Sequence, residues 1–359
     1  MRYLYSFSLL FILASCQKDE KKVIDHDKTD WAFYKLNGNV KSITTKSWEV
    51  NEKLEKVKTM HEDLSSRNSD LIFDEDGLIT NEKTYLTEFP IEIITYKGRE
   101  QKQEVVQYID NQPVIKTSYD WDTTGKNNIA ITKRNGDNSQ IDRVEIEYHQ
   151  GYPVKKTTLS AQNIPTEKTT YINDSKGNVL EEDFYLETNS VQYKAIYKYD
   201  KKGNITSDAR YSADGKKLYE TISAYKGNNM VKRYTVNDKG VIEYSEDFTY
   251  DAKGNKTSRI NFIKPENSKN TDKFVYDDKG NKVSWQVLKN DVLLMTANFA
   301  YDSHNNQTLV ASTDSNNNEV DRKEYSYEYD KKGNWTKKTV TVNNKPGYLV
   351  ERTIIYYNN

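Results

Sequence analysis

Along most of the chain, polar and apolar positions alternate with a period of two, in short runs interrupted by turn formers about every 13 residues. Ile205, Ser207, Ala209 and Tyr211 fall on one face of such a run, and Thr206, Asp208 and Arg210 on the other. Tyr244, Glu246, Phe248 and Tyr250 repeat the pattern, and no stretch keeps a helical period. The pattern predicts half-buried strands joined by tight turns.

The turns are of two kinds. One is a repeated corner, Y-D-x-x-G-N, centred on Gly203, Gly254, Gly280 and Gly333, with weaker copies at 173–178 and 301–306. Its steps cluster near 26 residues, and the gap between Gly203 and Gly254 is filled by a turn at 225–229. The other kind sits half-way between corners, at Asp214-Gly215, Lys239-Gly240, Pro265-Glu266-Asn267, Asn290-Asp291, Asn316-Asn317-Asn318 and Asn343-Asn344. In the corner, the Asp side chain accepts from backbone N–H groups two or three residues on, and Gly supplies the positive φ that closes a hairpin. Asn305 replaces the Gly in one copy, and Asn is the non-glycine residue best suited to a left-handed position. Asp200, Gly203, Asp251, Gly254, Asp277, Gly280, Asp302, Asn305, Asp330 and Gly333 are therefore expected to build turns. Calcium binding by the row of Asp residues is the alternative, but that ion needs six to eight oxygens and each corner offers one carboxylate plus carbonyls. No metal is expected.

An aromatic residue precedes each corner tyrosine by two positions, as in Tyr197 and Tyr199, Phe248 and Tyr250, and Phe274 and Tyr276. Period two places both rings on one face, where stacked strands would form an aromatic ladder. The expected fold is all-β: antiparallel hairpin repeats of about 26 residues forming a long, curled or shell-like sheet.

Composition narrows the picture. Hydrophobic residues make up only 35% of the 359, so a thick apolar core is not expected, and most strands should have one wet face. The chain has 28 Tyr against 10 Phe, residues that bury a ring and keep a hydroxyl for water or a partner. With 53 Lys and Arg against 54 Asp and Glu, no one-signed field draws the chain to nucleic acid.

The corner motif resembles the YD repeats of the RHS family, whose large members wind antiparallel hairpins into a β-sheet shell. The resemblance runs from about Asn173 to Asn334, with looser echoes at 73–77 and at Tyr119-Asp120. Family shells can enclose a C-terminal toxin released at an Asp-Pro cleavage site; this chain has no Asp-Pro dipeptide, so the resemblance implies the hairpin architecture only. The segment from Leu36 to Ile43 is similar to the opening strand of small Bacteroidota lipoproteins with such repeats.

The single cysteine, Cys16, follows Arg2 and the apolar run from Leu9 to Leu13, which together have the form of a secretory signal too short to span a bilayer. Leu13-Ala14-Ser15-Cys16 resembles a bacterial lipobox, which implies cleavage after residue 15 and lipid on the Cys16 thiol; an ordinary signal peptide with an incidental Cys is the alternative. Residues 16–29 read as a lipidated cysteine and charged tether, and 30–359 as a single YD-repeat-like β domain. The run after Cys16 is similar to the export signal of Bacteroidota surface lipoproteins, implying an outer-membrane lipoprotein exposed at the cell surface. A domain facing the periplasm is the other possibility.

Catalytic patterns are scarce. His26, His61, His149 and His304 show no metal-ligand spacing, and no phosphate loop, nucleophile elbow or metalloprotease motif occurs, so no cofactor and no catalytic residue is assigned. Trp48, Trp121, Trp285 and Trp335 are the candidate ligand-binding aromatics, flat rings suited to sugar faces or a protein partner, unless they instead fill the packed face of the sheet. The expected function is a lipid-anchored, surface-exposed, non-catalytic binding or scaffold protein, tied to the membrane by its lipid, with a glycan or protein ligand and no nucleic acid. A carbohydrate-active enzyme and an immunity or accessory protein in interbacterial competition are the alternatives.

Overall fold

A computed structural model describes residues 24–60, 68–86, 88–186 and 190–358. Twenty-five strands among these residues join one antiparallel sheet. From Asn68–Phe73 onward each strand pairs with the next, and the last strand, Lys345–Tyr356, pairs with the first, Val40–Val50, from Val40 opposite Tyr356 to Glu49 opposite Tyr348. On its other edge the first strand pairs with Asn68–Phe73 over its upper half and with Lys56–Met60 over its lower half. The sheet is thus a closed ring of 24 strands, with Lys56–Met60 as one extra strand. The sequence pattern implied a curled or shell-like sheet, and closure is its completed form.

All the D-x-x-G-N corners lie on one rim, called upper here, because each follows a strand that runs upward; the half-way turns lie on the lower rim. In the corner after Val191–Tyr199, the N–H of Gly203 donates to the carbonyl of Asp200 and the N–H of Asp200 to the carbonyl of Asn204. Gly203 holds φ 84°, and the register slips between Lys198 and Tyr199, the turn-plus-bulge of a three-residue hairpin. On the lower rim, Asn290-Asp291 and Asn343-Asn344 take positive φ at both positions, as two-residue hairpins of matching twist require.

The two faces of the wall follow from the register. Tyr197 pairs with Asp208, Asp208 with Thr221, Thr221 with Thr235, Thr235 with Tyr244 and Tyr244 with Ile263, so a row that begins beside the upper rim ends at the lower one. For L-residues, the face a side chain takes fixes the edge to which its N–H and C=O point. Asp200 bonds forward to Asn204, so Tyr199 and Tyr197 point their backbone groups back towards Val179–Leu186. Combined with the falling register and the right-handed coil of barrel strands, this handedness puts Tyr197 and Tyr199 on the concave side. The corner tyrosines and the rings two positions before them line the inner wall.

The outer wall alternates with it and carries Lys83, Lys116, Glu147, Lys155, Lys194, Lys232, Asp247, Lys273, Lys337 and Glu351. Cross-strand ion pairs tie several of these, including Lys155 to Glu147 at 2.8 Å and Lys337 to Glu328 at 2.8 Å. Small residues such as Thr132 and Ser207 are buried on this face under longer neighbours; Arg143 donates to Thr132 at 2.6 Å and Ser207 to Glu220 at 2.8 Å. Near the upper rim the same face exposes Ile172, Val275 and Ile355, and the charged rows below them differ from the continuous apolar band of a barrel whose exterior meets hydrocarbon.

Among the described residues, the buried apolar cluster lies where the N-terminal segment meets the upper rim. Trp31, from the short helix Asp30–Phe33, packs with Leu36, Val40, Ile43, Leu71, Phe73 and Ile79, and its indole N–H donates to the carbonyl of Val40 at 2.8 Å. Asp30 pins two corners by accepting from the N–H groups of Ile79 at 2.7 Å and Arg99 at 2.9 Å. Elsewhere strands contact their ring neighbours. The accessible area, 23594 Å², exceeds the roughly 15,000 Å² of a compact chain of 41.9 kDa. The excess survives discounting the undescribed residues as extended chain, roughly 6,000 Å². Barrels of 16 to 18 strands already leave an aqueous interior, and this ring has more strands than those.

Candidate functional site: the inner wall

The corner aspartates are occupied by their own backbone. In each of five corners one Asp oxygen accepts from the N–H groups two and four residues on; for Asp251 these are Lys253 at 2.9 Å and Asn255 at 2.8 Å. The reach is therefore to the second and fourth residue, one further than the sequence pattern suggested. The second oxygen accepts from the Asn side chain, at 2.9 Å from Asn255 to Asp251, or from a tyrosine, as Tyr329 donates to Asp302 and Tyr356 to Asp330. Hydrogen bonds from the Asn side chains, ahead of the backbone contribution, lower the pKa of Asp200, Asp251 and Asp277. Gly254 and Gly280 both hold φ 87°, Gly333 φ 83° and Asn305 φ 68°. No group of three or more metal-ligating side chains forms among the described residues.

The corner tyrosines have a second task that the sequence pattern did not reveal. Tyr199 donates to the carbonyl of Val179 at 2.7 Å, Tyr250 to Met230 at 2.8 Å, Tyr276 to Lys256 at 3.0 Å and Tyr301 to Lys282 at 3.1 Å. Each hydroxyl thus reaches back from its own corner to the preceding one around the ring. Trp121 does the same with its indole N–H, to the carbonyl of Lys102 at 2.8 Å. The corner there is Asp122 to Asn127, so the motif stands two residues beyond the Tyr119-Asp120 echo. Burial pushes the Tyr329 and Tyr356 hydroxyls up to about 12, helped by Asp302 and Asp330, so both stay protonated donors.

Below the rim the inner wall holds paired charges among rings. Glu246, 1% exposed, lies between Arg233 and Arg259, each donating through Nε at 2.7 Å. Asp272, beside Arg259, accepts from the Trp285 indole N–H at 2.9 Å. Trp285 stacks on Phe274 with ring centres 6.5 Å apart. Lysines cover other rings, Lys256 over Phe248 at 4.6 Å and Lys282 over Phe299 at 5.0 Å. A further inner-wall charge, Arg210, pairs with Asp208 at 2.9 Å. Arg210, Arg233 and Arg259 recur close to the repeat length, and this was the signal in the sequence for an inner-wall charge row.

The four candidate tryptophans are not one strip. Trp121, Trp285 and Trp335 face inward, whereas Trp48 is on the outer wall beneath Lys56, 4.7 Å from its ring centre. Trp335 packs edge-on to Tyr327, and the Arg352 guanidinium lies 3.6 Å from its ring centre. The aromatic ladder is therefore discontinuous, a set of local stacks joined by hydroxyl bridges. His304 is a corner residue stacked on Tyr329 at 3.9 Å. Cys16 and His61 lie outside the described residues.

No protein-family profile and no curated protein matches the chain. Among solved structures, the crystal structure of TcdB2-TccC3 without its hypervariable C-terminal region is similar over 73% of this chain, at 11% identity and a TM-score of 0.22; this chain spans 17% of that one. A porin-like protein from Bacteroides uniformis is similar over 89% of this chain and 98% of its own, at 9% identity and a TM-score of 0.23. A eukaryotic initiation factor is similar over 86% and 98%, at 8% identity and a TM-score of 0.28. Likenesses of this degree say nothing of activity, partner or location.

Proposed function

We propose that this protein is a non-catalytic binding or scaffold protein whose working surface is the inner wall of the barrel, built from YD-type hairpin repeats. The observation that carries the reading is the segregation of chemistry between the walls. Corner tyrosines, phenylalanines, three of the four candidate tryptophans and the Arg233–Glu246–Arg259 cluster converge on the concave side, while the outer wall is a solvated field of lysine and glutamate pairs. Rings held on a rigid sheet, with fixed charges between them, suit a glycan or a protein segment entering the lumen.

Anchoring belongs to the same proposal. The run ending in Leu13-Ala14-Ser15-Cys16 supports lipid on Cys16, and the charged residues after it support display on the outer face of the outer membrane. A charged outer wall agrees with a barrel that stands in water on a tether.

Glycoside cleavage is the second reading, because Glu82 and Glu92 share one inner-wall cavity. Glu82, however, accepts from the Tyr96 hydroxyl at 2.9 Å, which occupies one of its oxygens.

The test is capture of glycans and surface proteins by the detergent-solubilised full chain, compared with Trp285→Ala and Arg259→Ala on the inner wall and Lys273→Ala on the outer. Loss of capture confined to the inner-wall variants supports the reading. Loss through Lys273→Ala alone would overturn it, and glycan turnover abolished by Glu92→Gln would favour the enzyme.

A further inference from the structure

One inner-wall cavity differs from the paired-charge surface around it. It measures about 310 Å³, at the small end of ligand sites, and lies under the N-terminal segment, with Tyr34 and Leu36 as its roof. Its floor is a single register row: Arg352 opposite Thr45, Thr45 opposite Ser69, Ser69 opposite Thr84 and Thr84 opposite Glu92. Glu82 stands one row above, on the same face.

The charges at the two ends of this row lack partners of opposite sign. Among the described residues Arg352 makes no ion pair; its flat face rests on Trp335, and its buried Nε has no hydrogen-bond partner. Burial lowers its pKa to about 10, which leaves a protonated guanidinium short of counter-charge at neutral pH. Glu92 is met by Gln107 at 3.5 Å and Glu82 by the Tyr96 hydroxyl, neither of them a cation. Elsewhere on this wall Arg210, Arg233 and Arg259 each have a carboxylate. A desolvated guanidinium pre-stacked on an indole presents its fork in a fixed plane, the geometry that recognises a carboxylate.

We propose that this cavity binds a short zwitterionic peptide, its carboxylate on Arg352 and its ammonium on Glu92 and Glu82, above the hydroxyls of Thr45, Ser69 and Thr84. The backbones of Arg352 and Glu92 are four strand spacings apart, about 19 Å. The reach of the two side chains shortens this to about 10 Å, the length of an extended tripeptide. Apolar surface from Leu36, Ile43 and Leu71 would cover small side chains.

The inference rests on the inner wall being the binding surface, and the experiment separates the two. Tri-alanine with free ends, its C-terminal amide and its N-acetyl form are titrated calorimetrically into the solubilised full chain and into Arg352→Met, Arg352→Lys and Glu92→Gln. Free tri-alanine should bind, and amidation should weaken it about tenfold or more. Amidation should have no further effect in Arg352→Met, and acetylation a smaller effect in Glu92→Gln than in wild type, because Glu82 still meets the ammonium there. Equal binding of the three peptides, or no binding to the folded wild type, overturns the proposal. If Arg352→Met does not fold, the three-peptide comparison on wild type and Arg352→Lys decides it. Absence of tri-alanine binding while glycan or protein capture stays sensitive to Trp285→Ala defeats this inference alone; capture insensitive to that variant defeats the inner-wall reading itself.

Discussion

The hydroxyl of Tyr276 donates to the carbonyl of Lys256 across 3.0 Å and joins two upper-rim corners that the backbone ladder does not reach. The ladder between the strands Lys256–Ile263 and Ser268–Tyr276 ends with Ser258 opposite Lys273, two residues short of Lys256. A carbonyl so placed needs a donor from elsewhere.

Tyr276→Phe should therefore lower stability by about 1 kcal/mol, the net worth of one such bond, while keeping the ring. Tyr199→Phe removes an equivalent bond to Val179 in a separate part of the ring. The two losses should add within a few tenths of a kcal/mol in the double variant, measured by chemical unfolding. A neutral Tyr276→Phe would mean that water replaces the hydroxyl.

The corners differ in what a methyl group would meet. A Cβ at Gly254 would find only Asn229 at 3.9 Å, so Gly254→Ala should cost only the left-handed backbone strain, about 1 to 2 kcal/mol. At Gly77, φ 80°, the same atom would sit 2.6 Å from the Trp31 ring, so Gly77→Ala should lose more than about 3 kcal/mol as the N-terminal core is displaced. Asp251→Asn should be milder than either, because an amide oxygen still accepts from Lys253 and Asn255. Melting temperatures with calcium and with chelator check the series. A calcium-dependent melt abolished by Asp251→Asn would contradict the backbone role of the corner.

Acid should unfold the protein through its corners. Asp174, Asp200, Asp251 and Asp277, with Asp314 in a lower-rim turn, all titrate below the ordinary carboxylate value, chiefly because an Asn side chain donates to each. A folded-state pKa lowered below the unfolded one adds stability above about pH 4, and that stability is lost as pH falls through the folded value. The melting temperature should be level from about pH 5 to 7 and fall below about pH 4. Combining Asp200→Asn, Asp251→Asn and Asp277→Asn should flatten the acid limb. An unchanged limb would assign the acid response to other carboxylates.

Glu246 should be the most sensitive charge on the inner wall. Its carboxylate is buried and shared by two guanidiniums, so Glu246→Ala leaves Arg233 without its counter-charge and Arg259 with only Asp272, 3.9 Å away. The expected loss is about 2 kcal/mol, below that of a fully buried pair because the arginines are partly exposed. Arg233→Ala and Arg259→Ala should each cost less, since the other guanidinium remains. Chemical unfolding of the three variants orders them.

What could be read from the sequence was local. The period of two, the corner around Gly203 and the shared face of Phe248 and Tyr250 are set by residues within a few positions of one another, and they are found in the structure, except that the bulge setting Ile205 opposite Tyr199 and Ser207 opposite Lys198 parts Ile205 from the face expected for it with Ser207, Ala209 and Tyr211. Closure was not legible, because it depends on the number of strands and a register that falls about two residues per hairpin. The upper-rim bridges join Tyr199 to Val179 through a carbonyl, which any residue supplies and no side-chain pattern marks. The anchoring helix Asp30–Phe33 is too short to show a period. The cavity beside Arg352 draws on residues from opposite ends of the chain, met only after the last strand pairs with the first.

That pairing is the claim on which the inner wall depends, and a disulfide tests it most directly. Ser47 and Val350 stand opposite each other across the closing strands, and Cα atoms so paired lie about 4.5 to 5.5 Å apart, within reach of a disulfide. In a Cys16→Ser background, Ser47→Cys with Val350→Cys should oxidise within one molecule, giving a monomer that migrates faster without reductant and has no titratable thiol. Two free thiols in the folded, oxidised sample, or cross-links only between molecules, would show an open sheet and contradict the closed barrel.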